Sequence, residues 1–151
     1  MKKEIVKNIF SNQKDTNIAL TSEDNSPLLY KDLKALADRI SRQLSGNNIS
    51  NKDRAAIILP NGPYMASSFL AISSYMSAAP LNPNYKADEY EFYLNDLKPK
   101  IVLVEQNSSN SVVGIAKKLK IPVCEIKIKK NQPTGFFDLV HHESAYSEPG
   151  V

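Results

Sequence analysis

From Arg54 to Pro83 the chain alternates apolar and turn-forming blocks in an order that predicts strand, turn, helix and strand. Ala55 to Leu59 is an unbroken apolar run closed by Pro60-Asn61-Gly62, the pattern of a buried strand ending in a turn. From Tyr64 onward Met65, Phe69, Ile72 and Met76 fall at i, i+4, i+7 and i+11, which is one face of a helix. Pro80 and Pro83 remove backbone donors and keep the chain extended, so a second strand is expected to begin near Ala79. The unit is βαβ. Its turn is expected to place Asn61 or Gly62 near positive φ, in a structural role.

The same reading extends in both directions. Ile5, Val6, Ile9 and Phe10 form the one apolar patch of the first 16 residues and suit a short helix. Ile18-Ala19-Leu20 and Leu28-Leu29-Tyr30 flank a turn-rich spacer, which predicts a hairpin. From Lys31 the residues Leu33, Leu36, Ala37, Ile40 and Leu44 repeat at helical spacing, with Gly46 as the expected C-cap. Lys86 to Leu97 predicts a helix with Tyr90, Tyr93, Leu94 and Leu97 on its apolar side. A strand over Ile101–Val104, a helix over Ser111–Leu119 and a strand over Ile121–Ile128 complete the series. The alternation predicts an α/β fold: a parallel βαβ sheet with right-handed crossovers and helices on both faces, preceded by the hairpin.

Beyond Lys129 the periodicity dissolves. Asn131-Gln132-Pro133-Thr134-Gly135 reads as a turn, and Phe136-Phe137-Asp138-Leu139-Val140 as a short apolar segment in an irregular tail. With nothing later to cover it, the surface around Phe136, Phe137 and Leu139 is expected to be exposed and to drive self-association. The expected organisation is a subdomain over residues 1–130 and a linker over 131–151.

Charge adds little. The formal net charge is +3, from 19 basic and 16 acidic residues. The excess gathers at Lys117, Lys118, Lys120, Lys127, Lys129 and Lys130, which reads as a solvated face. No aromatic residue interleaves these lysines, which argues against a single-stranded nucleic-acid surface; no nucleic-acid partner is expected. The one cysteine, Cys124, lies in an apolar run and reads as a small buried hydrophobe; having no partner for an internal disulfide, it suits a reducing, cytoplasmic setting. No stretch approaches the apolar length of a membrane span, and the N-terminus has no apolar core of a signal peptide.

Candidate chemistry is sparse. Asp88, Glu89, Glu91 and Asp96 invite a reading as an acid/base pair or metal site, but acids in a first helical turn are favoured by the helix dipole alone. His141 and His142 are sequence neighbours, which on regular structure face different ways and chelate poorly together. A phosphate cradle needs clustered glycines, so that successive amides converge on one anion. The chain has five, Gly46, Gly62, Gly114, Gly135 and Gly150, no two closer than fifteen residues. Neither a Walker loop nor a G-x-G-x-x-G turn can form, and no catalytic, cofactor-binding or metal-ligating residue is assigned.

Leu29-Tyr30-Lys31-Asp32-Leu33, the block from Arg54 to Pro63, Pro80-Leu81-Asn82-Pro83 and the run from Tyr85 to Leu94 share order and spacing with a known group. Over about Ile18 to Val104 the chain resembles the N-terminal region of the adenylate-forming acyl-CoA synthetases, with wording closest to the oxalate and 4-coumarate types. It departs from their pattern at Lys52 and Ser77, where glycine is usual; both positions shape turns. The resemblance implies an enzyme that uses ATP and Mg²⁺ to convert a carboxylic acid to an acyl-adenylate, then passes the acyl group to CoA. It also implies that the phosphate loop, the acids holding ribose and Mg²⁺, and the catalytic lysine lie beyond residue 151, so that this chain is an inactive N-terminal piece whose partner is the remainder of the ligase. The alternative is a non-catalytic α/β module that binds a nucleotide or a protein.

Overall fold

The computed structural model describes residues 6–141. The helix expected after Tyr30 is α2 (Tyr30–Gly46), following α1 (Val6–Ser11), β1 (Ile18–Leu20) and β2 (Leu28–Leu29). Leu33, Leu36, Ala37, Ile40 and Leu44 all point inward. Asp32 Oδ2 accepts the Leu29 backbone N–H at 3.0 Å, supplying a partner at the helix start. Gly46 is not the cap: it is the last helical residue, and the left-handed position falls at Asn48, φ 61°. Asparagine tolerates that conformation because its short polar side chain can bond locally, so glycine is not required there. The expected hairpin is present, with β1 antiparallel to β2 in a sheet of their own.

The main sheet has five strands: β3 (Arg54–Ile58), β4 (Ser77–Pro80), β5 (Ile101–Glu105), β6 (Val123–Lys127) and β7 (Asp138–His141). Their spatial order is β4-β3-β5-β6-β7, parallel except for β7, which runs antiparallel to β6. The intervening helices are α3 (Pro63–Ser73), α4 (Ala87–Leu97) and α5 (Val112–Lys118). Strands buried on both faces read as continuous apolar runs, and the two-residue period divides them between two cores. Ala55, Ile57, Ile101, Leu103, Cys124 and Ile126 face a core built with α2, α3 and Phe10 of α1. Ala56, Ile58, Val102, Val104 and Val123 face a second core built with Tyr90 and Leu94 of α4 and Val112 and Ala116 of α5. Helices therefore cover both faces, as the sequence predicts.

Two regions depart from expectation. The buried side of α3 is Ser67, Ser68, Ala71 and Ile72; of the expected stripe Ile72 is buried, Met76 is buried past the helix end, Met65 is half-buried and Phe69 is 37% exposed. A helix apolar around most of its circumference has no sharp stripe to read, and packing selects the face. The second departure is β7. Phe137 and Leu139 are 2% and 7% exposed, so the apolar surface expected around them is closed. α2 supplies the cover: Arg39 Nη2 donates to Phe137 O at 3.2 Å and Gln43 Nε2 donates to Leu139 O at 2.6 Å. The large apolar side chains left exposed among the described residues are Ile9, Ile18, Phe69, Phe92 and Ile128.

Candidate functional site

In an open parallel sheet, ligands meet the carboxyl ends of the strands where the connections diverge. Here β3 leads through α3 to β4 on one side, while β5 leads through α5 to β6 on the other, so the divergence lies between β3 and β5. Three loops form this rim: Leu59–Gly62, Leu81–Lys86 and Gln106–Ser111.

The first loop is the expected strand-to-helix turn. Gly62 has φ +148° and Pro63 occupies the first helical position, where its missing N–H costs nothing. The other two loops are latched together. Asn110 Nδ2 donates to Pro83 O at 2.9 Å and to Tyr90 Oη at 3.3 Å, and Tyr90 Oη donates to Asn82 O at 2.8 Å. Asn110 Oδ1 accepts the Val112 N–H at 2.9 Å, so one side chain both starts α5 and holds the neighbouring loop. Tyr85 stacks on Tyr93 at 5.0 Å and meets Tyr90 edge-on at 5.7 Å, completing an aromatic wall on the same side. Sequence reasoning missed this latch. The signal was present as Ser109-Asn110-Ser111 ahead of a helix, which is capping chemistry.

The sequence candidates fall in place as structure. Glu89 Oε1 accepts the Lys86 N–H at 3.1 Å and caps α4, while Glu91 pairs with Lys118 at 2.8 Å. Asp88 and Asp96 are exposed. Among the described residues no group of three or more His, Cys, Asp and Glu side chains could hold a metal ion. Cys124 is buried, and burial pushes its thiol up to about 12, so it stays protonated; its Sγ lies 3.4 Å from His141 Nε2. His142 lies outside the described residues.

The lysine cluster does contribute to a cleft. Arg39, Lys127, Lys129 and Gln132 surround Asp138 beside Phe136 and Phe137. Lys129 Nζ and Arg39 Nη1 lie 2.8 and 3.2 Å from the Asp138 carboxylate, and the Arg39 guanidinium sits 4.9 Å from the centre of the Phe136 ring. The hydrogen bond from Lys129, with Arg39 and Lys127 nearby, holds the Asp138 carboxyl below its usual value. Lys129 and Arg39 are thus answered from within the chain. The cleft is about 60 Å³, space for about two waters, whereas small-molecule pockets run to roughly 300–1,000 Å³. The geometry of the described residues offers a braced rim.

Comparison with known proteins supplies the context. Residues 9–148 match the family described as AMP-binding enzyme. An oxalate–CoA ligase of Arabidopsis thaliana is 36% identical over 105 residues, 68% of this chain and 20% of that protein. An oxalate–CoA ligase of Saccharomyces cerevisiae is 31% identical over 102 residues, 63% of this chain and 19% of that protein. The chain thus spans about a fifth of the length of these relatives. Among solved structures, MatB from Rhodopseudomonas palustris superposes with a TM-score of 0.69 at 23% identity, over 80% of this chain and 24% of that one, which establishes a shared fold. The family match runs from α1 past β7, over a sheet and rim already explained by the residues themselves: the chain belongs to the AMP-binding enzymes.

Proposed function

We propose that this chain is the N-terminal portion of an acid–CoA ligase, which activates a carboxylic acid with ATP to an acyl-adenylate and transfers the acyl group to CoA. The observation that carries this is the likeness to two oxalate–CoA ligases over 102 and 105 residues, each at 31% identity or more. In this reading the β3–β5 rim forms a wall of the site, and the chain lends scaffold while ATP, Mg²⁺ and the reacting groups are held by later sequence. Residues 131–151 lead toward that sequence as a linker, anchored on the sheet through β7. A dicarboxylic or aromatic acid is the substrate class proposed, and the cytoplasm the compartment. Among the described residues no helix is long and apolar enough to cross a membrane.

The experiment is to sequence the gene and transcript beyond codon 151. A continuous frame reaching a Gly/Ser/Thr-rich loop that ends in Pro-Lys-Gly supports the ligase. A stop codon there, with no such loop downstream, favours the non-catalytic module.

A further inference from the structure

The turn that opens α3 holds the chain's single Asn-Gly pair, and the structure leaves it chemically open. Asn61 and Gly62 are both exposed. Neither the Asn61 side chain nor the Gly62 N–H has a hydrogen-bond partner among the described residues, whereas the Gly62 carbonyl accepts the Ala66 N–H at 3.1 Å. Asn61 and Pro63 aside, no atom lies within 4 Å of where a Gly62 Cβ would stand, so the turn has open space around it.

We propose that Asn61 is a site of spontaneous covalent modification, converting to aspartate and isoaspartate in the folded protein. Solvent base removes the Gly62 amide proton, and that nitrogen attacks Asn61 Cγ. The Cγ–Nδ2 bond breaks, ammonia departs with a proton from water, and a five-membered succinimide remains. Water then opens the ring. Cleavage of the bond from the Gly62 nitrogen to Cγ gives aspartate; cleavage of its bond to the Asn61 main-chain carbonyl carbon gives isoaspartate, with the chain rerouted through Cγ.

Other asparagines are less open to this step. Asn25, Asn107 and Asn110 precede serine, whose side chain crowds the attacking nitrogen, and the Asn110 amide is already held by Pro83 O and the Val112 N–H. The two products differ in consequence. Aspartate sets a negative charge one residue before the Gly62 cap of α3, where the helix dipole favours it. Isoaspartate adds a methylene to the main chain at residue 61, immediately before Gly62 and one residue short of Pro63, whose carbonyl is 3.1 Å from the position a Gly135 Cβ would take. The segment leading into β7 rests on that first turn of α3, so the isoaspartyl form loosens the contact.

The test holds the purified chain at body temperature and mildly alkaline pH, in buffer and in urea, and reads the tryptic peptide Ala55–Lys86 by tandem mass spectrometry. Isoaspartyl methyltransferase labelling reports the second product. Asn61 is expected to convert ahead of every other asparagine, at a rate in buffer within an order of magnitude of that in urea, with isoaspartate in excess. Asn61→Gln, which keeps the glycine and the fold, is expected to abolish labelling in this peptide. Conversion slower in buffer than in urea by more than an order of magnitude, or another asparagine converting first, would overturn the proposal.

Discussion

α2 and α3 lie side by side on one face of the sheet and enter the same core, yet the buried face of one was legible throughout and that of the other only in part. α2 is amphipathic: its five buried residues are the five that sequence spacing selects. α3 is apolar almost throughout, and the residues it buries most completely include two serines, Ser67 and Ser68. The difference is one of surroundings. α2 has a solvent side, so composition records its orientation. α3 touches the sheet, α1, α2 and the segment before β7, and a helix covered on several sides carries no record of which side matters most.

Substitutions can break or sharpen this contrast. The largest effect is expected in α2, where Leu36→Ala removes a fully buried side chain from the shared core and should cost about 2–5 kcal/mol. Urea unfolding followed by circular dichroism measures it; an unchanged midpoint would mean that α2 does not pack as described. In α3 the two serines should separate. Ser67 Oγ donates to Gly135 O at 2.6 Å, 68 residues away in sequence, so Ser67→Ala strands a buried carbonyl and should cost about 1–3 kcal/mol. Ser68 Oγ bonds only Met65 O within its own helix, and Ser68→Ala should stay within about 0.5 kcal/mol. Equal effects would show that the Gly135 contact does not seat the segment before β7.

The start of α3 gives a third handle. Gly62→Val introduces a β-branched side chain at φ +148° and should destabilise by roughly 1–3 kcal/mol through backbone strain, although the space around it is open. Here the sequence was sufficient, because Pro60-Asn61-Gly62-Pro63 names the turn chemistry directly. β3 and β5 were readable for the same reason, each an apolar run closed by turn residues, whereas β4 is Ser77–Pro80, two residues earlier than the start expected near Ala79, because pairing with β3 and not a local apolar run defines it. β7 was not. Phe137 and Leu139 alternate with Asp138 and Val140 over only a few residues, and what makes them a strand is pairing with β6 and cover from Arg39 and Gln43, none of it local. The rim was half legible: its loops could be placed, but the Asn110 to Tyr90 latch joins residues 20 apart and no periodicity encodes it.

The smallest effect expected is a pH dependence at Asp138. Its folded pKa lies below the usual 3.8, first through the Lys129 hydrogen bond, so its contribution is present above pH 3.8 and is lost as pH falls through the lower folded value. Urea midpoints of the chain and of Asp138→Asn should therefore differ above that pH and converge in stronger acid. A constant difference across the range would detach the carboxylate from the stability of the β6–β7 edge.

Under the function proposed above, these residues build scaffold for an acid–CoA ligase while later sequence carries its chemistry. Acid-dependent exchange of labelled pyrophosphate into ATP tests this most directly, with the purified chain offered oxalate, malonate, 4-coumarate and anthranilate in turn. No exchange above the acid-free background is expected for any of them. Exchange that depends on one of these acids would contradict it, because the adenylating groups would then have to lie within this chain.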